Sequence, residues 1–254
     1  MDIKLIKTRA KQELIKNKEG LIRVVLIDGF ILLIPGFFTA NDYTTIISLI
    51  VTLTFLTVPH GLVVSGLKFI NGQGEEVDES DSMVGLKRWR ELLPTYVLNV
   101  LYVLLYTLIP VIAMIIVYTM SGGFLTSNNM ISMGLLGVAA VVLGIYVAFR
   151  LLLTPYLLED YGMKKSEAIN ASRELMRGHV FDYVKLVLSF LPFIIIQALI
   201  TYGLTYVLML GLPAFVVEII VSVVSLIIGV YTYLPLLTVS TAVFYKELAY
   251  RAYH

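Results

Sequence analysis

Lys164–Pro192, KKSEAINASRELMRGHVFDYVKLVLSFLP, contains a charged stretch, a glycine and then an unbroken apolar run. In its first part Ala168, Ile169, Ser172, Leu175 and Met176 recur at helical spacing on one face. Lys165, Glu167, Asn170, Arg173, Glu174 and Arg177 fall largely on the other. The pattern predicts an amphipathic helix at a membrane interface, with Ser166 as its N-cap and Gly178 just past its end. Beyond His179 the chain stays apolar for about the thickness of a bilayer. The rest of the chain repeats this order, so it decides the fold.

Composition agrees. Of 254 residues 58% are hydrophobic and only 15% charged, with a mean hydropathy of +0.87, against roughly a quarter charged in soluble domains. The expectation is an all-α integral membrane protein without a soluble domain between spans. With no cysteine, disulfides, thiolate metal sites and cysteine nucleophiles are excluded. The N-terminal segment has no apolar run before Leu21 and no small-residue cleavage site, which argues against a signal peptide.

Six spans are expected, at about 21–39, 44–69, 95–119, 131–158, 181–208 and 214–244. The connectors TANDY, MSGGFLTSNN and GLP carry no Lys or Arg. The N-terminal segment and the stretches 68–90, 164–185 and 246–251 carry all of them except Arg150. The positive-inside bias therefore puts both termini and the charged loops on the cytoplasmic side of the membrane.

A quasi-repeat is expected within this single transmembrane domain, with units 1–70, 78–160 and 164–250. Ala10-Lys-Gln-Glu-Leu-Ile-Lys16 parallels Ala171-Ser-Arg-Glu-Leu-Met-Arg177, and DSMVGLKRWRELLP (81–94) holds the equivalent place in the middle unit. Each unit reads as an amphipathic cytoplasmic helix followed by a helical hairpin. Every span also holds a proline: Pro35, Pro59, Pro110, Pro155, Pro192 and Pro235. Each frees a backbone carbonyl, which a membrane tolerates where neighbours or a cavity supply partners, so three kinked returning helices are expected to frame a binding region.

The chain resembles a family of bacterial, mostly Gram-positive, multi-pass membrane proteins of unknown function. The likeness runs through EAINASRELMRGHVFDYVKLVLSF (167–190), LLTPYLLEDYG (152–162), GLVVSGLKFINGQ (61–73) and PLLTVSTAVFYKEL (235–248). The family is loosely similar to the membrane domain attached to some glycerophosphodiester phosphodiesterases. Where family members carry a tryptophan after Leu-Ser-Phe, this chain has Leu191-Pro192-Phe193. The resemblance implies a six-span protein of the bacterial cytoplasmic membrane and supplies no catalytic residues.

Arg150 is the costliest residue for a bilayer. It lies nine residues before Glu159, about 13 Å into its span, and an unpaired arginine there costs at least a few kcal/mol. A planar guanidinium suits phosphate or carboxylate, so an anionic headgroup is the expected partner; the plain alternative is snorkelling to the interface. Asp28, Glu218 and His60 are further polar candidates, each with a structural alternative: a local pair, a solvated helix end and a hydrogen-bonded core histidine. Tyr102 and Tyr106 form an i, i+4 pair, as do Tyr202 and Tyr206. Asn99 and Gln197 lie in the same two spans, allowing an aromatic-walled groove for an amphiphile.

Lys7, Arg9, Lys11, Lys16 and Lys18, with Lys87, Arg88, Arg90, Arg173 and Arg177, are expected to meet anionic lipid headgroups, each charge adding about 1 kcal/mol. The acidic run 75–81, EEVDESD, argues against a nucleic-acid partner and fits a solvated linker or a contact for a basic protein. No Walker loop, dinucleotide fingerprint, Gly-x-Ser-x-Gly, His-Glu-x-x-His or intramembrane Asp pair is present, and no metal or cofactor is implied. The expected function is non-enzymatic: binding or translocating an amphiphilic or anionic molecule, such as an envelope lipid, a peptide or a small solute, either alone or as part of an export or envelope complex. A structural, regulatory or immunity-type subunit that docks a partner is the second reading. A lipid-modifying enzyme is the third.

Overall fold

The computed structural model describes residues 1–38, 42–122 and 127–253, with no strand among them. Among the described residues thirteen α-helices follow one another: α1 (Ile3–Leu14), α2 (Lys18–Leu33), α3 (Asp42–Phe55), α4 (His60–Ile70), α5 (Val84–Lys87), α6 (Trp89–Met120), α7 (Ser127–Arg150), α8 (Thr154–Tyr161), α9 (Ser166–Leu175), α10 (Val180–Leu188), α11 (Leu191–Leu208), α12 (Ala214–Thr232) and α13 (Leu234–Tyr253). Short 3₁₀ turns lie at Ile34–Phe38, Gly74–Glu76 and Glu79–Met83.

Among the described residues five segments are long and apolar enough to cross a membrane: Ile46–Ile70, Trp89–Met120, Asn129–Tyr161, Leu191–Leu208 and Ala214–Thr232. They overlap five of the expected spans. The expected first span is a 16-residue helix running into a 3₁₀ turn and is not among the five. The connectors at 39–43 and 120–129 fall partly outside the described residues.

The prolines break helices more than they kink them. Pro59 lies just before α4, and Pro155, Pro192 and Pro235 lie in the first turns of α8, α11 and α13. There a missing N–H costs nothing, because the first-turn donors have no intrahelical acceptor. Pro35 sits in a 3₁₀ turn. Pro110 departs from the expectation, since it is buried inside an uninterrupted 32-residue α6.

The charged ends of the helices form a packed core, while the apolar hairpins splay from it. α13 is the centre of that core, burying Val239, Ala242, Val243, Phe244, Tyr245, Leu248 and Ala249 against α1, α4 and their neighbours. α6 and α7 pack on each other, yet only 6% and 11% of their spanning windows are buried.

The amphipathic helices are not free at an interface. On α1, Ile6, Ala10 and Leu14 are buried against α13, α10 and α4. On α9, Ala168, Ile169, Ser172 and Leu175 are buried, chiefly against α8 and α6. Their apolar stripes serve intramolecular packing, which satisfies the same pattern as lipid would. The expected third such helix is a 3₁₀ turn and the four-residue α5, running straight into α6. Ser166 is the first helical residue and not the cap, whereas Gly178, at φ +82°, does provide the left-handed turn after α9.

Candidate functional site

The expected polar residues gather in two places and not in one cavity. The first is where α7 stops. Pro155 has no N–H to continue the ladder, so the chain leaves the helix at Arg150 and restarts at Thr154. Ser172 of α9 spans that gap: its hydroxyl donates to the Arg150 carbonyl at 3.0 Å and accepts from the Leu153 N–H at 3.2 Å. A span break that hydrocarbon would leave unsatisfied is thereby completed from the neighbouring helix.

This docking sets Arg173 beside Arg150. Arg150 Nη2 donates to the Arg173 carbonyl at 3.1 Å, and the Arg173 guanidinium lies 5.9 Å from the centre of the Tyr102 ring. Tyr102, Tyr106, Leu143, Tyr146, Val147 and Leu151 complete a cleft of about 70 Å³. Since liquid water takes roughly 30 Å³ per molecule, the space suits a phosphate-sized group and not a whole lipid. Arg150 Nε is buried with no hydrogen-bond partner. Among the described residues neither Arg150 nor Arg173 forms an ion pair. The Arg150 guanidinium thus bonds the backbone of α9.

The second place is centred on His60, which is fully buried at the restart after Pro59. Its Nδ1 lies 3.1 Å from the Tyr96 hydroxyl and its Nε2 2.9 Å from Glu159 Oε2. The same Oε2 accepts from Arg88 Nη1 at 2.7 Å, and Arg88 Nε donates to Glu91 at 3.1 Å. Lys164 pairs with Glu91 at 3.2 Å. The hydrogen bond to Glu91, opposed by burial and reinforced by that to Glu159, raises the Arg88 pKa above its ordinary value.

The loop before α6 carries Arg88 to this network by lying across the break in the second span. Thr57 Oγ1 donates to the Gly85 carbonyl at 2.9 Å. A β-carbon on Gly85 would overlap the Thr57 carbonyl, and one on Gly61 would stand 2.6 Å from the Asp81 carbonyl. The two close approaches require glycine. The acidic run is accordingly not a free linker: Asp81 is buried and takes Lys68 at 2.6 Å and Ser65 at 3.4 Å, while Glu79 pairs with Arg23.

Asp28 is 1% exposed, and neither carboxyl oxygen has a hydrogen-bond partner. Among the described residues the local pair expected for it is absent. Glu218 is exposed in the early turns of α12, as a solvated helix end would be. Gln197 ties two helices together, its Nε2 donating to the Ser225 carbonyl and hydroxyl at 3.0 and 2.6 Å. Asn99 lies between Tyr96 and Tyr102 on α6, its Oδ1 buried and unpartnered.

Of the expected headgroup ligands, Arg90 and Arg177 are exposed, Arg173 joins the Arg150 cleft, and Arg88 is committed to two carboxylates. Lys7 donates to Ser189 at 3.0 Å and lies over Phe190, Lys16 pairs with Glu13, and Arg9 pairs with Glu247. The sequence reading passed over Tyr96 and Tyr146, and it used Glu159 only to mark a span end. The signal available for Glu159 was its place four residues past Pro155, one turn into a restarted helix. Among the described residues no three His, Asp or Glu side chains come together as metal ligands.

A family model described as "Protein of unknown function (DUF975)" matches residues 1–252, nearly the whole chain. No curated protein and no solved structure matches.

Proposed function

We propose that this chain, which belongs to that DUF975 family of unknown function, binds an anionic amphiphile, its headgroup on Arg150 and Arg173 and its apolar part along α6 and α7. The observation that carries this reading is that Arg150 and Arg173 line one tyrosine-lined cleft of about 70 Å³ that has no carboxylate among its lining residues. Neither half-buried guanidinium has a counter-charge among the described residues, and an incoming phosphate or carboxylate would supply one. The tyrosines offer ring faces to an acyl chain and hydroxyls to a headgroup. The exposed apolar faces of α6 and α7 beside the cleft provide a track for the tail.

The same reading takes the chain as a six-span protein of the bacterial cytoplasmic membrane, built from three hairpin units, with its charged core on the inner leaflet. Breaks before Pro59, Pro155 and Pro235 in three returning helices support the repeat. Membrane lipids are then its first partners, and the role is binding or translocation without catalysis.

The test is lipid binding to purified protein in detergent, read by native mass spectrometry against phosphatidylglycerol and phosphatidylcholine. The anionic lipid should bind more tightly, and Arg150→Ala should weaken it about 10- to 100-fold, the value of one charge-assisted bidentate contact. Equal affinity for the two lipids, or no effect of Arg150→Ala in a folded protein, would overturn the proposal and favour a subunit that docks a protein partner.

A further inference from the structure

The cleft at the α7 break is small and doubly cationic, and its other lining side chains are tyrosines and aliphatics. We infer that the amphiphile it takes is a lipid phosphomonoester, a phosphate with one ester bond to the lipid and no headgroup alcohol, which rests on the anionic-amphiphile reading above and narrows it.

Arg150 and Arg173 both line the cleft, and no aspartate, glutamate or histidine does. A phosphodiester or a carboxylate brings one negative charge and leaves one of these cations unmatched. A phosphomonoester, whose second proton leaves at about pH 6, carries nearly two negative charges above that pH and matches both. Its oxygens suit the donors as well. Arg150 Nη2 spends one hydrogen bond on the Arg173 carbonyl at 3.1 Å, and the Arg173 guanidinium stands 5.9 Å from the centre of the Tyr102 ring. A monoester presents three terminal oxygens to the two guanidinium forks, where a diester presents two.

Size excludes the alcohol. A cleft of about 70 Å³ equals little more than two water molecules at roughly 30 Å³ each. That volume holds a phosphoryl group and leaves none for glycerol or ethanolamine beside it. The lining offers such an alcohol little besides Leu143, Val147 and Leu151, and a hydroxyl or ammonium buried on those side chains without a partner is costly. A monoester brings no such group, and its tail leaves along the exposed apolar faces of α6 and α7.

Phosphatidic acid, phosphatidylglycerol and phosphatidylcholine with identical acyl chains differ only in the headgroup, and native mass spectrometry of the full chain in detergent reads their affinities. Phosphatidic acid should bind at least about tenfold tighter than phosphatidylglycerol at pH 8, and less than about threefold tighter at pH 5, where the monoester keeps a single charge. Since no carboxyl or imidazole lines the cleft, that dependence belongs to the lipid. Arg173→Gln keeps the backbone carbonyl that Arg150 bonds and removes one cation, so the preference at pH 8 should shrink to less than about threefold. Inorganic phosphate at the same concentration should not displace phosphatidic acid. Equal binding of phosphatidic acid and phosphatidylglycerol, both tighter than phosphatidylcholine and both weakened by Arg150→Ala, would overturn the inference and leave the anionic-amphiphile reading standing. A preference that Arg173→Gln leaves unchanged would also overturn the inference. Three equal affinities, or displacement by inorganic phosphate, would overturn the amphiphile reading itself.

Discussion

Two ionic clusters stand where proline breaks returning spans, and they are finished differently. Around His60, Glu159 and Glu91 face Arg88 and Lys164, so each cation has an anion. Around Arg150, two cations share a cleft, and among the described residues the hydrogen-bond partner of the first is a backbone carbonyl. A closed cluster fixes the shape of a fold, because removing one member strands the rest. An open one leaves capacity for a ligand. The loop across the first break carries Arg88 to Glu159, whereas α9, across the second, brings the further cation Arg173.

The largest effect should come from opening the closed cluster. Glu159→Ala leaves His60 buried without its Nε2 partner and Arg88 without one of its two carboxylates. Loss of one partner from a buried pair costs about 3–5 kcal/mol, and the partial exposure of Arg88 and Glu159 puts the expectation at the lower end, ~3 kcal/mol. Thermal unfolding in detergent measures it. A loss under about 1 kcal/mol would mean that this cluster is no more structural than the other.

Ser172→Ala sharpens the comparison, because this hydroxyl secures the break beneath the open cluster. It strands the Leu153 N–H and the Arg150 carbonyl together, a cost of about 1–2 kcal/mol for buried groups that lose a hydrogen bond. It also loosens α9, which carries Arg173. Stability and phosphatidylglycerol affinity should therefore fall together. A drop in stability with affinity intact would separate the cleft from the docking of α9.

Helix placement was legible wherever one physical signal sufficed. Apolar runs marked five spans, and Pro59, Pro155 and Pro235 marked the breaks. The fate of the amphipathic helices was not, because Ile6, Ala10 and Leu14, or Ala168, Ile169 and Leu175, present the same stripe to lipid as to protein. Arg150 with Tyr102, Tyr106 and Arg173 was foreseeable as costly or aromatic residues, yet their meeting depends on α9 docking at a broken helix. His60 and Glu159 lie 99 residues apart in the chain, and no local period encodes such a pair. The acidic run read as solvent-facing because charge usually is, whereas Asp81 is buried against Lys68 and Ser65.

The smallest expected change in stability is also the most discriminating. Arg150→Leu removes a guanidinium whose Nε is already buried without a partner and whose Nη2 makes one hydrogen bond to the Arg173 carbonyl. Loss of that bond costs ~1 kcal/mol. Relief of an unpartnered charge and the gain of apolar contact with Val147 and Leu151 oppose it. The two should nearly cancel, leaving stability within about 0.5 kcal/mol of wild type in the absence of added lipid. With phosphatidylglycerol added, wild type should gain thermal stability by ligand linkage and Arg150→Leu should gain little. A variant as unstable as Glu159→Ala in lipid-free detergent would erase the distinction, because Arg150 would then belong to the scaffold and the cleft would have no charge to spare for a ligand.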